Sequence, residues 1–294
     1  ISIVASDQEL FKTTGNGRGG ILTLGTTGSA GGTQFEITGS SLKSILPLWE
    51  NDGDIINCGD IIVTCGKRII SQFTGTEDSQ IIGDSFSSIA FGRSNIINTA
   101  HYSVAFNREN TVNAIGGFSA GFGNTTNAPY SFVQGYQNNV NTGVGPLSQG
   151  YNHAEGYANT VIGKYAHAEG QTTIARGTAA HTEGIGTEAI GDYSHAEGQN
   201  TVAGTTAEGN SYMHAEGLST KAQGSWSHAE GYLTVTNGDA SHAEGHSSTT
   251  NPSGQYSHAE GYNTRTNKQY AHAEGYETLA DAPGSHAEGQ ETET

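Results

Sequence analysis

The chain has 294 residues, of which 33% are hydrophobic, with 43 Gly, 5 Pro and a net charge of −17. It has no basic patch to hold nucleic-acid phosphates, no basic amphipathic helix for a membrane surface, and no apolar run of about 18 residues to span a bilayer. Neither nucleic-acid binding nor membrane insertion is therefore expected. Glycine recurs at fixed offsets, which argues against disorder, and Thr, Ser, Tyr, Val and Ile outweigh helix formers, so the expected fold is all-β.

Residues 1–78 show no fixed period. Short β-type runs at 21–24, 35–38 and 60–64 are divided by the Gly-rich turns GNGRGG and GSAGG, which predicts a compact all-β N-terminal module for attachment or capping. Cys58 and Cys65 lie seven residues apart. A disulfide would suit an extracellular protein and two buried free thiols are equally compatible, but the pair alone builds no metal site. The acidic residues Glu50, Asp52, Asp54 and Asp60 offer carboxylates for a groove or a calcium loop. The loop lacks the full EF-hand pattern and loop carboxylates are usually solvated, so no catalytic residue is assigned and the chain is not expected to be an enzyme. It starts at Ile1 rather than Met, which fits a processed product or part of a longer one.

Residues 79–150 carry decayed copies of a Ser-x-x-x-Gly unit. They read as Ser88–Gly92, Ser103–Asn107, Ser119–Gly123 and Ser131–Gly135. The serines are 15, 16 and 12 apart, which suggests looser coils with longer corners.

Residues 151–294 form a regular array. His-Ala-Glu-Gly starts at His153, His167, His181, His195, His214, His228, His242, His258, His272 and His286, with Thr182 replacing Ala once. Successive steps are 14, 14, 14, 19, 14, 14, 16, 14 and 14 residues. So short a period predicts a solenoid in which each repeat is one coil, here two short strands and two tight corners. Gly156, Gly163, Gly170, Gly177, Gly184, Gly191 and Gly198 are seven apart and are expected to supply the turn conformations. The extra residues fall at 205–210 and near 251–252, where corners should be.

Alternation assigns the faces. Ser, Ala and Thr form a narrow interior, while Arg176, Glu188, Lys221, Gln223, Arg265 and Asn267 belong to a variable solvent face. The constant His/Glu face is the exception, because a slim interior of methyls and hydroxyls buries too little apolar area for a lone chain. The residues His153, Glu155, His167, Glu169, His181, Glu183, His195, Glu197, His214, Glu216, His228, Glu230, His242, Glu244, His258, Glu260, His272, Glu274, His286 and Glu288 are therefore expected at an interface between identical chains. Flanking aromatics such as Tyr157, Tyr165, Tyr193 and Trp226 would seal it. Imidazole and carboxylate also suit transition metals, so a structural ion on the ladder of His153, Glu155, His167, Glu169, His195 and Glu197 stays open beside packing. No other cofactor is expected.

The Ser-x-Ala-x-Gly unit resembles the head domain of trimeric adhesins of the YadA type, a left-handed parallel β-roll. The His-Ala-Glu-Gly form is similar to repeats of phage and viral tail-fibre proteins, some of which carry a self-cleaving chaperone of the peptidase G2 type. The resemblance covers residues 85–294 and implies a homotrimeric β-solenoid of a virion, extracellular, with a host-surface glycan or protein receptor and with other virion or tail proteins held through residues 1–78. The break in mid-coil at 290–294 fits a self-cleavage end or an arbitrary boundary. A bacterial trimeric autotransporter adhesin head is the alternative, and a glycan-cleaving tailspike is a weaker one. The expected contact surface is the variable face with the corners at 205–210 and 248–254.

Overall fold

In a computed structural model of the chain, the described residues are 2–5, 8–14, 21–23, 68–71, 79–82, 87–141, 150–205, 209 and 211–294. Two units divide at residues 62 and 63. In the first, Ser2–Ala5, Gln8–Thr14 and Ile21–Thr23 pair in that order as an antiparallel sheet. The β-type runs at 35–38 and 60–64, both cysteines and the acidic loop at 50–60 lie outside the described residues.

The second unit is a parallel β-solenoid of about 14-residue coils, with no helix among the described residues. Each coil has a long strand such as His153–Tyr157 and a short one such as Thr160–Val161. Stacking the coils makes two sheets of fifteen and fourteen described strands. The ladder takes in Arg68–Ser71, which pairs parallel with Ser88–Arg93, inside the stretch that reads as aperiodic in the sequence. Across the regular array every His pairs with the next His and the middle residues pair likewise, as Ala154 with Ala168. A 14-residue period leaves no other register in which all interior residues stay inside.

The alternation sorts residues as the sequence predicts. Ala154, Ala168 and Ala196 on the long strands and Val161, Ala175 and Ala189 on the short ones are fully buried. Buried Thr173, Thr187 and Thr201 complete a core one small side chain deep. Toward the N-terminus Asn takes the Thr position and forms a buried ladder. The Asn124 side-chain amide donates to Asn110 Oδ1 at 3.0 Å, to Ala120 O at 2.9 Å and to Gly135 O at 2.9 Å. Asn124 Oδ1 in turn accepts from the backbone N–H of Asn138 at 2.9 Å. Such an amide satisfies several backbone groups that a tight corner would otherwise strand.

Two sequence expectations need correction. Ser119–Gly123 is not a repeat unit: the register pairs Ile89, Val104, Phe118, Phe132 and His153 in succession, so the coil steps are 15, 14, 14 and 21 residues. Ser119 sits in the interior slot that Ala105 fills one coil earlier; a hydroxyl fits either slot, which is why it reads as a repeat serine. The seven-spaced glycines are also not all turn formers. Gly156 has φ 111°, a conformation that suits glycine, whereas Gly163 has an ordinary φ, and a Cβ there would overlap the carbonyl oxygen of Gly177 in the next coil. The left-handed corner positions belong instead to residues such as Ala158 (φ 54°) and Tyr165 (φ 56°).

The two corners differ in tolerance. From Val104 onward only two residues, such as Ala158 and Asn159, link each long strand to the short one that follows, whereas eight separate Ser71 from Gln80. In that stretch the insertions lie in the other link, between short strands ending at Val140, Ala203 and Thr250 and long strands starting at His153, His214 and His258. The sequence reading found the second and third of these; the first, between Val140 and His153, was missed.

Candidate functional site

Successive parallel coils bring equivalent side chains to about 4.8 Å from one another, so one outward-facing residue per coil becomes a column. The ten histidines form one continuous stack from His153 to His286, with centroid separations of 4.5 to 5.0 Å and interplanar angles of 0 to 10°. The glutamates make the neighbouring column two residues along the same face. Within a coil the His Nε2 lies near its own Glu carboxylate, at 3.6 Å in His153–Glu155, His195–Glu197, His214–Glu216 and His228–Glu230 and at 3.5 Å in His272–Glu274. These separations exceed a good hydrogen bond. Glu244 lies between two rings, 4.0 Å from His242 and 3.8 Å from His258. The Nε2 atoms from His153 to His272 are shielded from solvent and have no hydrogen-bond partner.

This packing sets the electrostatics. Burial, and then the neighbouring imidazoles, lower the pKa of His167, His195, His228, His242 and His272, against the opposing pull of nearby carboxylates. The Glu244 carboxyl is raised, first by burial and then by a hydrogen bond with Glu230 and by the charges of Glu260 and Glu230. These five rings are thus held toward the neutral imidazole form beside crowded carboxylates.

All twenty residues of the expected stripe share one face, and the candidate metal ladder lies within it. That face does not end at His153. In the register, Phe132, Phe118, Val104 and Ile89 continue the histidine column, and Gln134, Ala120, Phe106 and Phe91 continue the glutamate column. Phe118 stacks on Phe132 at 4.7 Å, and Phe132 meets His153 edge-on at 5.2 Å. Phe91, Phe106 and Phe132 are 48%, 37% and 39% exposed. The sequence reading missed this apolar continuation, although Phe91 and Phe106 each stand four positions before Asn95 and Asn110, a spacing that could have located the coils.

A second column runs along the insertion-bearing corner, where Tyr151 stacks on Tyr165 at 5.5 Å and Tyr256 on Tyr270 at 5.3 Å. These rings are half exposed or more. Lys221 and Arg265 on the variable face are exposed, and Arg176 pairs there with Glu188 at 2.6 Å. No protein-family model matches the chain, and no curated protein sequence matches it.

Proposed function

We propose that this chain is the rod of a homotrimeric fibre, an extracellular structural adhesin carried on a phage or virus particle, and that it carries or presents a host-surface binding site. The observation that carries the reading is the single face on which exposed Phe91, Phe106 and Phe132 run on into the His/Glu columns. Contiguous exposed apolar surface of this kind is costly in water and marks a contact surface. The coil interior, built of Ala, Thr, Ser and Asn, offers little apolar area to hold a lone chain together. Three copies meeting along this face would cover the phenylalanines and bring the imidazole and carboxylate columns of neighbouring protomers together. The three-fold count comes from the resemblance of the Ser-x-Ala-x-Gly units to trimeric β-roll heads. Residues 1–78 then hold other virion or tail proteins, and the variable face with the corners at 205–210 and 248–254 meets a glycan or protein receptor. The role is structural rather than enzymatic.

Light-scattering mass of the purified chain tests the assembly, with three chain masses expected; a stable monomer overturns it. Binding to host cells without release of glycan fragments supports an adhesin over a tailspike. The Ser-x-Ala-x-Gly form of Ser88–Gly92 favours, as a second reading, the head of a bacterial trimeric autotransporter adhesin. A coiled coil and membrane β-barrel encoded downstream would decide for it.

A further inference from the structure

Most of the outward side chains in the solenoid are accounted for by stacking, ion pairing or exposure to water. The histidine Nε2 atoms are not. Those of His181, His195, His214, His228, His242 and His258 are shielded from solvent and accept or donate no hydrogen bond, a costly state for a strong polar group. Each nonetheless belongs to a cluster with a carboxylate and the next imidazole. In His181–Glu183–His195, His195–Glu197–His214, His214–Glu216–His228, His228–Glu230–His242 and His242–Glu244–His258, one ligand atom from each residue lies within 4.8 Å of the others.

The separations match one chemistry better than another. At 3.6 Å, His195–Glu197, His214–Glu216 and His228–Glu230 are too long for a hydrogen bond. Two ligands on one tetrahedral ion with bonds of about 2.0 to 2.1 Å stand about 3.4 Å apart, so these pairs need to close by only a few tenths of an ångström. Glu244 faces both flanking rings, at 4.0 and 3.8 Å, so one carboxylate can serve a site reached from either side. A second ring joins by tipping toward its neighbour in the stack. Neutral imidazole is the form that binds metal, and a dication would also relieve the repulsion along the carboxylate column.

We propose that the His–Glu stripe binds divalent transition-metal ions of the zinc, cobalt or nickel class, each held by two successive imidazoles and the carboxylate between them. Nitrogen and carboxylate donors together select such ions over magnesium and calcium, which favour all-oxygen sites. Each Nε2 has one lone pair and serves one ion, so neighbouring clusters compete. Three of the clusters can fill at once: His181–Glu183–His195, His214–Glu216–His228 and His242–Glu244–His258. Three donors leave a fourth position open for water or another ligand. All three come from one chain, so the proposal does not rest on the trimeric reading.

Cobalt(II) is the probe, added to the full chain after chelator treatment and followed by equilibrium dialysis and visible ligand-field absorption. The expected result is at least three ions per chain, with the intense bands of a low-coordinate site, displaced by zinc and not by magnesium or calcium. Two variants with equal histidine loss separate a cluster site from binding at single rings. Changing His167, His195, His228, His258 and His286 to Gln leaves no two successive imidazoles, and tight uptake should vanish. Changing His153, His167, His181, His272 and His286 to Gln keeps five successive rings, and at least two ions should remain. Equal uptake by the two variants, fewer than one ion per wild-type chain, or displacement by calcium overturns the proposal. Should either variant lose its β-type circular dichroism, the wild-type stoichiometry, band intensity and displacement series decide alone.

Discussion

The imidazoles of His228 and His242 lie face to face, their centroids 4.8 Å apart and their planes 5° from parallel. Both rings have lowered pKa values, from burial first and neighbouring imidazoles second. An unfolded histidine titrates near 6.5, so just below that pH the unfolded chain binds more protons than the folded one. Stability is then full above about pH 7 and falls as the pH drops through the lowered folded values. The raised Glu244 acts in the opposite direction, but only toward its ordinary value of 4.5. Melting temperature should be level in mild alkali and decline below roughly pH 6.5. A melting point as high at about pH 5 as at about pH 7 would contradict this.

Gly163 and Gly284 predict opposite outcomes for the same substitution. A Cβ on Gly163 would collide with the backbone of Gly177, whereas Gly284 has nothing within 4 Å and only its φ of 68° to oppose a side chain. Gly163→Ala should cost roughly 3 kcal/mol by overpacking between coils. Gly284→Ala should cost about 1 kcal/mol, the left-handed penalty. Urea unfolding of the two variants measures the difference, and equal losses would contradict the close-approach role.

The buried Asn and Thr rungs are not equivalent. Asn124→Ala removes an amide that makes three hydrogen bonds of 2.9 to 3.0 Å and should cost about 3 kcal/mol. The Thr201 hydroxyl is buried and without a partner, so Thr201→Val, which keeps the shape, should be neutral or stabilising by about 1 kcal/mol. Thermal unfolding of both variants checks the ordering.

Phe91 and Phe106 are substantially exposed in a single chain. Under the trimeric reading proposed above, Phe91→Glu with Phe106→Glu should leave the coils folded by circular dichroism while reducing the solution mass from three chains toward one. Retention of the full mass would place the interface elsewhere.

Much of the solenoid was legible because each coil must repeat the same interior. The His-Ala-Glu-Gly motif gave period, strand faces and the common face of the stripe. The reading failed where a small side chain fits two slots, as Ser119 does, and where the motif had changed chemistry. Ser131–Gly135 marked the coil before His153, but with Phe132 standing in the histidine column its 21-residue step to His153 was not compared with the regular array, so the extra residues between Val140 and His153 went unseen. The corner glycines misled because spacing cannot tell a conformational need from a spatial one. Gly156 answers both, by its φ of 111° and by the carbonyl of Gly170 standing where a Cβ would be, and Gly163 only the second. The stripe was legible as a candidate ladder for an ion, but which imidazoles and carboxylate come together was not, since that depends on how far each Nε2 stands from a carboxylate.

Because from Val104 onward the extra residues emerge from one edge of the stack while the opposite edge keeps a two-residue link, this stretch of the solenoid has a fixed spine and a free margin. New length, and with it new chemistry, can be grafted onto that margin without disturbing the rungs above or below. Length and composition can thus vary along this margin while the scaffold behind it stays the same.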